Sequence, residues 1–312
     1  MLYLVTGGAG FIGSHIVEKL VQAGEKVRVL DNFSSGRREN LKNLLDKIEL
    51  VEGDIRDFWT VIKAVEGADF ILHQAALTSV QRSIKNPLTT NEVNINGTLN
   101  LLEAAKIHQV KRFIYASSSS VYGDTPTLPK VETMCPNPIS PYAISKLAGE
   151  EYCQVFYKVY GLETVSLRYF NVFGPRQNPN SEYAGVIPRF IMALLKVNKP
   201  SIFGDGEQSR DFTYVENVVA ANLSACKVSS VAGESINIAC NQRHTLNQLW
   251  NNLVRLSGKK VEPVYSDPKP GDVRHSLGDI NKAKKLLDYQ VKTGFEEGLK
   301  ITLDWYAGLN SR

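Results

Sequence analysis

Residues 5–15 read VTGGAGFIGSH and join an apolar, strand-like run to an apolar helical pattern. Gly7, Gly10 and Gly13 have the spacing GxxGxxG, and counting from Gly8 also gives GxGxxG. Glycines at this spacing allow a tight turn and a close approach of the backbone to a pyrophosphate, whose charge is favoured by the N-terminus of the following helix. The stretch therefore predicts a strand–turn–helix unit that binds a dinucleotide.

Acidic residues at the ends of the next two strand-like runs indicate which dinucleotide binds. Asp31 ends the run KVRVLD, where a carboxylate can accept hydrogen bonds from the adenine ribose and would repel a 2′-phosphate. Asp54 and Ile55 end the third run, where an adenine amino group could be bound. These residues favour NAD over NADP, although Arg37 and Arg38 keep NADP as the alternative.

Strand-like and helical patterns alternate through the first half of the chain, which predicts a parallel sheet with helices on both faces. After about Gly174 prolines and glycines become more frequent and the helical patterns become shorter. We predict an α/β fold, with a Rossmann-like doubly wound parallel sheet over residues 1–174. A smaller C-terminal α/β substrate lobe follows over residues 175–312, and some of its segments return to the main sheet. The predicted strands lie in LYLVT, KVRVLD, KIELVEGDI, ADFILHQAA, VKRFIYAS and ETVSLRYFNVFG, and the predicted helices span residues 11–23, 58–65, 91–108, 141–160, 186–197, 245–256 and 294–307.

The composition limits the classes to which the chain can belong. Its 312 residues are 43% apolar, and 36 basic against 32 acidic residues give a net charge of +4. That charge is too small and too evenly spread to indicate nucleic-acid binding, and it suits an anionic small substrate. We expect no signal peptide, membrane span or metal site. We expect a cytoplasmic protein with reduced thiols, because no CxxC spacing joins Cys135, Cys153, Cys226 and Cys240.

A tyrosine and a lysine follow the serine-rich stretch YASSSSVYGD of residues 115–124. Pro141 suits the first turn of a helix, which would place Tyr142 and Lys146 on one face. A neighbouring ammonium lowers the pKa of a phenol, so tyrosine can act as a base near neutral pH. A hydroxyl at the strand end, such as that of Ser118, can share the proton. A surface tyrosine with an ion-pairing lysine is the alternative.

Several motifs occur in this order along the chain: TGGAGFIG, Asp31, SSSSVYG, YAISK, RYFNVFGP and RDFTYVENV. With the late segment GDVRHS, they resemble the extended short-chain dehydrogenase/reductase family, and within it the UDP-hexose 4-epimerases. The resemblance covers essentially the whole chain. It implies that C4 of a UDP-hexose is oxidised to a 4-keto sugar by tightly bound NAD, and that the hydride then returns to the other face of the sugar.

The resemblance also implies roles for individual residues. Tyr142 would take the proton of the 4-hydroxyl, Lys146 would lower the tyrosine pKa and hold the nicotinamide ribose, and Ser118 would hydrogen-bond the 4-oxygen. The residues expected to bind NAD are Gly7, Gly10, Phe11, Ile12, Gly13, Asp31, Asn32, Ser35, Gly36, Asp54, Ile55, Gln74, Ala75, Ala76, Asn94, Ser117, Tyr142, Lys146 and Tyr169.

By the same resemblance, the UDP-sugar would lie between the main sheet and the second lobe. Arg210 and Arg274, with Asn171, match the positions that hold the diphosphate, a task that suits arginine through its forked donors. Uridine would lie against Val186, Ile187 and the strand of residues 201–203, with Asp272 near its ribose. Ordinary apolar packing is the alternative role of Val186 and Ile187. The expected substrate contacts are Ser79, Ser118, Ser119, Ser120, Tyr142, Asn171, Gln177, Gly185, Val186, Ile187, Ile202, Phe203, Arg210, Asp272, Arg274 and Ser276.

The resemblance also separates this chain from related reactions. Dehydratases and the decarboxylases that form UDP-xylose carry acidic residues where this chain has Ser119 and Ser120, so both reactions lack their proton donor here. UDP-glucuronate 4-epimerases carry an arginine where this chain has Asn178. A sugar carboxylate would therefore be left without a cationic partner, which is costly in a closed site.

By the same resemblance, the residues expected around C2 of the sugar favour an acetylated substrate. Ser276 is small at a position where a large aromatic residue excludes an N-acetyl group, Gly185 is also small, and Gln177 and Asn171 can hydrogen-bond an amide. Thr78 argues the other way, since the acetylated branch can carry glycine there. We predict a UDP-N-acetylglucosamine 4-epimerase, with UDP-glucose as the alternative substrate, UDP-glucuronate third, and a silent NAD-binding sensor as the non-enzymatic alternative. The resemblance further implies a homodimer through a four-helix bundle of residues 91–108 and 142–160.

Overall fold

The computed structural model of the chain describes residues 1–179, 185–267 and 273–310. Their strands are β1 Leu2–Thr6, β2 Lys26–Asp31, β3 Glu49–Glu52, β4 Phe70–His73, β5 Arg112–Ser118, β6 Glu163–Tyr169, β7 Val172–Phe173, β8 Ser201–Phe203, β9 Ser209–Arg210, β10 Thr213–Tyr214, β11 Glu234–Ile238, β12 His244–Thr245 and β13 Val264–Ser266. The α-helices are α1 Phe11–Gln22, α2 Phe58–Val65, α3 Val80–Lys85, α4 Pro87–Asn91, α5 Gly97–Ile107, α6 Pro141–Tyr160, α7 Val186–Leu195, α8 Val215–Lys227, α9 Leu246–Ser257, α10 Asn281–Leu287 and α11 Phe295–Asn310. A π-helical segment, Glu92–Asn96, precedes α5, and short 3₁₀ segments span Arg38–Asn40, Ser119–Tyr122 and Ser229–Val231.

Seven strands form the main sheet in the order β11-β6-β5-β4-β1-β2-β3. Every neighbouring pair is parallel. Parallel neighbours need crossover connections, and the helices that supply them cover both faces of the sheet. The chain runs outward from β1 through β2 to β3, and then restarts on the other side at β4. This arrangement confirms the predicted Rossmann-like α/β fold and places a topological switch point between β1 and β4.

Two apolar clusters cover the two faces of the sheet. Successive strand side chains point to opposite faces, so Leu4 belongs to one cluster and Val5 to the other. The cluster around Leu4 packs α2, α5 and α6 on the sheet, and the cluster around Val5 packs α1, α8 and the smaller lobe. Each fully buried aliphatic side chain contributes about 1.5–3 kcal/mol. The two clusters therefore fix the helices that carry the site.

The second half of the chain contributes to both parts of the molecule. Strand β11 pairs in parallel with β6 in the main sheet, and α8 packs against α1. The remaining strands form three small two-stranded sheets, β7 with β10, β9 with β12, and β8 with β13. The division of the chain at residue 174 stays a prediction, with β11 as a segment that returns to the main sheet.

Helix α6 has the bounds that its sequence predicts, because both of its ends carry strong signals. Ser140 is the N-cap, and its hydroxyl accepts a hydrogen bond from the Ala143 amide at 3.2 Å. Pro141 occupies the first turn, and Gly161 follows the last turn in the left-handed conformation with φ 72°. The helix therefore presents a fixed face to β5.

No helix in the described part of the chain is long and apolar enough to span a membrane. All four cysteines are free thiols: Cys135 is exposed, and Cys153, Cys226 and Cys240 are buried.

Candidate active site

A cavity of about 880 Å³ opens along the carboxyl edge of the main sheet. The ends of β1, β2, β4, β5 and β6 contribute to its wall, and residues of the smaller lobe close the opposite side. Ligands of open α/β sheets bind in such a crevice, beside the switch point of the strand order. The geometry of its wall decides what the cavity can hold.

The glycine-rich loop between β1 and α1 forms one end of the cavity. Gly7 has φ 67°, and a Cβ there would lie 2.7 Å from the Ala75 amide nitrogen. A Cβ on Gly13 would overlap the carbonyl oxygen of Gly7. Gly10 is the N-cap of α1 and makes no side-chain hydrogen bond to it. The backbone amides of the first helical turn can therefore donate hydrogen bonds to a ligand. This cradle fits a pyrophosphate and has no room for side chains.

Asp31 is buried beside this loop. Its carboxylate accepts hydrogen bonds from the amides of Ala9, at 2.9 Å, and Phe33, at 2.8 Å. Burial raises the pKa of Asp31, while these two hydrogen bonds lower it. A Cβ on Gly36 would lie 2.8 Å from the carboxylate. Asp31 therefore ties the loop to β2 and lines the cavity where a ribose would bind, which fits NAD.

Asp54 lies in the cavity wall beyond Asp31, at the end expected for adenine. Arg56 binds its two oxygens at 3.0 and 2.8 Å, and Asn32 donates a further hydrogen bond at 2.8 Å. The hydrogen bonds from Arg56 lower the pKa of Asp54 to about 2. The carboxylate therefore stays ionised near neutral pH and already has several donors.

Tyr142 and Lys146 face β5 from one side of α6, and both are buried. The Lys146 ammonium donates a hydrogen bond to the Ala116 carbonyl at 2.8 Å. Burial lowers its pKa to about 8, although the negative charge of Glu150 opposes the shift. Burial raises the pKa of the Tyr142 phenol, and a hydrogen bond with the Ser118 side chain lowers it. The strand end and the helix therefore bring together the three side chains with which catalysis was predicted.

The substrate side of the cavity contains polar side chains with unused hydrogen-bonding capacity. Gln177 lines the wall, and its Oε1 is buried without a partner in the described part of the chain. A Cβ on Gly185 would lie 3.1 Å from Gln177 Nε2. Ser276 is 9% exposed, and Asn171 Nδ2 lies 3.5 Å from its hydroxyl oxygen. The buried hydroxyl of Ser120 also has no hydrogen-bond partner among the described residues.

Most of the predicted site residues line this one cavity. In its wall are Gly7, Gly10, Phe11, Ile12, Gly13, Asp31, Asn32, Ser35, Asp54, Ile55, Gln74, Ala75, Ala76, Ser117, Ser118, Ser119, Ser120, Tyr142, Lys146, Tyr169, Asn171, Gln177, Gly185, Arg210 and Ser276.

Other predicted site residues lie behind the wall. Asn94 was expected to contact NAD, but its side chain bonds both backbone groups of Leu77 and the Ser145 hydroxyl. Ser79 caps α3 by accepting a hydrogen bond from the Arg82 amide. Three residues expected at uridine, Val186, Ile187 and Ile202, belong to the apolar core or pack against it. Outside the described wall are also Gly36, Phe203 and Arg274, and Asp272 lies outside the described residues.

The cavity wall also contains polar residues that the sequence analysis did not single out. Arg82, Lys130, Arg176 and His275 are among them. Lys130 is buried and donates hydrogen bonds to the backbone carbonyl and hydroxyl oxygens of Thr125. His275 precedes Ser276 in the motif GDVRHS, so its position beside a predicted contact was the signal that could have identified it. The other three are cations outside any motif used above.

Among the residues that the structure describes, no cluster of three or more histidine, cysteine, aspartate or glutamate side chains is placed to hold a metal ion.

The model of the NAD dependent epimerase/dehydratase family matches residues 3–239, and the chain belongs to this family. It is 40% identical over 311 residues to a putative UDP-glucose 4-epimerase of Methanocaldococcus jannaschii, with 99% of each chain covered. A solved UDP-N-acetylglucosamine 4-epimerase from Methanobrevibacter ruminantium, in complex with UDP-N-acetylmuramic acid, is 41% identical with a TM-score of 0.94 and 98% of each chain covered. A Thermus thermophilus UDP-glucose 4-epimerase in complex with NAD is 38% identical with a TM-score of 0.91 and 99% of each chain covered. The predicted family and the predicted cofactor, NAD, are confirmed.

Proposed function

We propose that the protein is an NAD-dependent UDP-sugar 4-epimerase that interconverts UDP-N-acetylglucosamine and UDP-N-acetylgalactosamine. The class rests on family membership and on relatives with this activity in their names across nearly the full chain. The choice of sugar rests on one observation. Beside the small residues Gly185 and Ser276, the buried Gln177 carboxamide oxygen has no hydrogen-bond partner among the residues that the structure describes.

The proposed reaction divides the chemistry between the cofactor and three side chains. NAD, when bound, supplies the hydride acceptor and donor, with no net redox change. Tyr142 takes the proton of the sugar 4-hydroxyl and later returns it, and Ser118 hydrogen-bonds the same oxygen. Lys146 holds a positive charge one helical turn from Tyr142, which favours the phenolate. The glycine cradle at Gly7 and Gly13 holds the pyrophosphate.

The absence of acids at Ser119 and Ser120 supports epimerisation over dehydration. Both serines line the cavity next to Ser118. Loss of water from the sugar needs a proton donor and an acceptor beyond the tyrosine, and a serine hydroxyl is too weak an acid for that role at neutral pH. The 4-keto sugar would therefore have one outcome at this site, which is hydride return.

Arg210 and Arg274 are the proposed partners of the diphosphate. Arg210 lines the cavity, and its guanidinium donates hydrogen bonds to the carbonyls of Ser209 and Arg274. Arg274 is exposed and pairs with Asp205 at 2.8 Å. An exposed pair of this kind is worth about 0–1 kcal/mol, so a diphosphate can compete for the arginine at small cost.

Ser276 and Gln177 support the acetylated sugar. Ser276 leaves space in the wall where a large side chain would fill it, and Asn171 lies beside it. Gln177 Oε1 is a buried acceptor without a partner in the described residues, and an N-acetyl amide would supply the missing donor. An unsatisfied buried acceptor costs about 1–3 kcal/mol, so filling it adds affinity for that sugar.

UDP-glucose is the second candidate substrate, because Thr78 lines the cavity where the acetylated branch can carry glycine, and because relatives carry that substrate in their names. UDP-glucuronate ranks third, since Asn178 gives a sugar carboxylate no cationic partner at that position. A silent NAD-binding sensor is the non-enzymatic candidate. Its weakness is that the cavity keeps both Tyr142 and Lys146.

The substrate can be identified with purified protein to which no NAD is added. UDP-N-acetylglucosamine, UDP-glucose and UDP-glucuronate are incubated separately, and the C4 epimers are separated by chromatography. We expect the highest kcat/KM for the acetylated sugar, with UDP-glucose as a slower substrate or none. Turnover of UDP-glucuronate alone would reject the choice of sugar, and no turnover of any of the three would reject the epimerase class.

Ser276→Tyr tests the space that the acetylated sugar needs. We expect kcat/KM for UDP-N-acetylglucosamine to fall by about 10- to 100-fold, since steric discrimination in a pocket is worth about 1–3 kcal/mol. Turnover of UDP-glucose serves as the internal control and should stay near its original value. An equal loss of both activities would contradict the steric role of this position.

We also propose an assembly and a location for the protein. Exposed apolar side chains follow one another along α6, at Ile144, Val155 and Val159, and Ile107 is exposed on α5. Such a row of apolar residues supports a homodimer in which α5 and α6 of two subunits form a four-helix bundle. Free thiols, including the exposed Cys135, support a reducing location, for which the cytoplasm is our proposal.

A further inference from the structure

A bidentate ion pair lies buried directly behind the cavity. Glu150 on α6 is 1% exposed and Arg168 on β6 is 4% exposed. The guanidinium Nε donates to Glu150 Oε1 at 2.9 Å, and Nη2 donates to Oε2 at 2.7 Å. Each buried ion costs several kcal/mol in lost hydration, which the partner offsets only when the geometry is good. Neither residue lines the cavity, so both act, if at all, through the residues that do.

This ion pair joins five segments of the molecule. The Ser117 hydroxyl of β5 donates to Glu150, and Arg168 Nη1 donates to the Tyr122 hydroxyl at 2.9 Å. Tyr122, in the 3₁₀ segment after β5, donates to Asn237 of β11 at 2.7 Å. The polar atoms that surround the two charges are therefore themselves hydrogen-bonded. A satisfied network of this kind fixes the relative positions of its elements.

The network places α6 on β5 at the residues proposed for catalysis. Tyr142, Lys146 and Glu150 are spaced four apart, so they occupy one face of the helix. Three consecutive residues of β5 meet that face. The Ala116 carbonyl accepts from Lys146, the Ser117 hydroxyl donates to Glu150, and Ser118 lines the same cavity wall as Tyr142. A shift of the helix at Glu150 would therefore misplace Tyr142 and Lys146 as well.

We propose that Glu150 is a positioning residue, which holds the Tyr142–Lys146 face of α6 on β5 and keeps the Lys146 ammonium protonated by its negative charge. The proposal rests on the catalytic roles proposed above for Tyr142 and Lys146. It adds a group that acts through them from behind the cavity.

The groups around Lys146 make Glu150 the main source of negative charge there. From β4, His73 is held neutral, because burial lowers its pKa to about 3. From β5, the Tyr115 ring lies 5.0 Å from the ammonium, and burial raises the pKa of that phenol well above its usual value. On α6 itself, burial raises the pKa of Cys153 and keeps it a thiol near neutral pH.

The charge paired with Glu150 belongs to Arg168 on β6. The Arg168 guanidinium donates hydrogen bonds to both oxygens of Glu150 and to the Tyr122 hydroxyl. Removal of Glu150 alone would leave the Arg168 cation buried and uncompensated, at a cost of about 3–5 kcal/mol. The test variant therefore removes both charges, as Glu150→Gln with Arg168→Gln, and keeps amide groups for the hydrogen bonds.

The measurement is the ionisation of Tyr142, read without substrate. The ultraviolet difference absorbance of the phenolate is recorded against pH on protein with bound NAD, and Tyr142→Phe in the same background supplies the reference. In the pair variant, Lys146 loses the negative charge of Glu150, so its ammonium deprotonates at a lower pH and no longer favours the Tyr142 phenolate. We expect the midpoint for Tyr142 to rise by about one pH unit or more, since loss of a nearby opposite charge, here that of Lys146, shifts a pKa by about 1–3 units. An unchanged midpoint in a folded variant that retains NAD would overturn the proposal.

A matched control removes another ion pair that joins the same two strands far from the cavity. Arg112 of β5 is 5% exposed and pairs with Glu163 of β6 at 2.6 Å. Arg112→Gln with Glu163→Gln makes the same change in charge and should leave the Tyr142 midpoint in place, whatever it does to stability. A shift as large as that of the test variant would assign the effect to general loosening of the fold and reject the special role of Glu150.

A second variant covers the case in which the double substitution prevents folding. Glu150→Asp keeps the charge but withdraws the carboxylate from Ser117 by one methylene. We expect lower kcat with little change in KM, because the helix face moves while the substrate contacts remain. A value of kcat equal to that of the unsubstituted protein, in a variant of reduced stability, would overturn the positioning role.

The titration also separates this inference from the proposed function. If the pair variant shifts the Tyr142 midpoint although no UDP-sugar is turned over by the unsubstituted protein, the inference stands and the epimerase assignment fails. If UDP-sugars are turned over and the midpoint does not move, the assignment stands and the inference fails.

Discussion

Tyr142 and Lys146 are buried side chains whose charged forms stabilise one another. Burial raises the pKa of the phenol and lowers that of the ammonium to about 8, so each group alone is pushed towards its neutral form. A phenolate and an ammonium one helical turn apart offset that cost by mutual attraction. The proposed base is therefore available only while Lys146 keeps its proton.

The pH dependence of the rate should follow Lys146. As the pH rises through about 8, the ammonium loses its proton, the Tyr142 pKa rises, and kcat is expected to fall. Lys146→Arg keeps its charge beyond about pH 12, so its alkaline decline should disappear, although kcat is lower throughout because the planar group fits the site less well. The check is a kcat–pH profile of both proteins with substrate in excess, alongside circular dichroism to exclude unfolding. The same alkaline decline in both would contradict the role of Lys146.

Local patterns in the sequence were sufficient to predict some of the residues that line the cavity. The spacing of Tyr142 and Lys146 on a helix, and the glycines of the first turn, depend on a few neighbouring residues, so they could be read directly. The hydrogen bonds of Asn94 could not be predicted, because its partners Leu77 and Ser145 are distant in sequence. The ion pair of Glu150 could not be predicted either, because its partner Arg168 lies on β6, a strand that follows α6 in the sequence.

At the scale of elements, Gly149 allows α6 to pack directly against Tyr115 of β5, because it has no side chain. A Cβ at this position would overlap the Tyr115 hydroxyl and ring. Tyr115 in turn lies under the Lys146 ammonium. The glycine therefore sets the distance between the helix that carries the proposed base and the strand that carries its serine partner.

Gly149→Ala should force α6 away from β5. We expect the free energy of unfolding to fall by about 1–3 kcal/mol from overpacking, and kcat to fall with it because Tyr142 moves away from Ser118. Urea denaturation and the epimerase assay measure the two effects. Gly308→Ala in α11 is the matched control, since nothing lies within 4 Å of the added Cβ, and stability should be unchanged or slightly higher. Unchanged stability and kcat in Gly149→Ala would show that the contact is not tight.

Elements with marked ends were predicted well, and elements defined by tertiary contacts were not. Helix α6 has a serine cap, a proline and a terminal glycine, and its bounds are confirmed. The helix predicted over residues 91–108 is instead a π-helical segment followed by α5, since hydrogen-bond register leaves little trace in sequence. Helix α8 was not predicted, because it is buried along much of its surface and has no clear polar stripe. Strand β11 was not predicted either.

At the scale of the whole molecule, Asp211 ties the smaller lobe to the main sheet. Its carboxylate is fully buried and accepts hydrogen bonds from the amides of Cys240, at 2.8 Å, and Gly278, at 3.1 Å. Burial raises its pKa to about 6, although these backbone hydrogen bonds oppose the shift. Asp211 thus holds the segment after β11 and the segment that contains Ser276 beside Arg210.

Asp211→Asn should separate these segments. An amide group would point a donor at backbone donors, so we expect a loss of about 1–3 kcal/mol in the free energy of unfolding. We also expect a rise in KM for the UDP-sugar that exceeds the change in kcat, since Ser276 and Arg210 belong to the substrate side. Denaturation and steady-state kinetics test both effects. A variant with the stability and KM of the unsubstituted protein would show that the clamp is unimportant.

The proposed homodimer can be tested on α6. Val155 and Val159 are 47% and 65% exposed there, one helical turn apart. Val155→Glu would place a charge in the proposed four-helix bundle, where burial costs several kcal/mol, so we expect a dimer of the unsubstituted protein to dissociate into monomers in sedimentation velocity. Ile301→Glu changes an exposed apolar residue on α11, which packs against α7 and α9 instead, and should leave the dimer intact. A dimeric Val155→Glu variant would place the interface elsewhere. Equal dissociation of both variants would contradict a bundle of α5 and α6, because a charge on α11 would then disrupt the dimer as well.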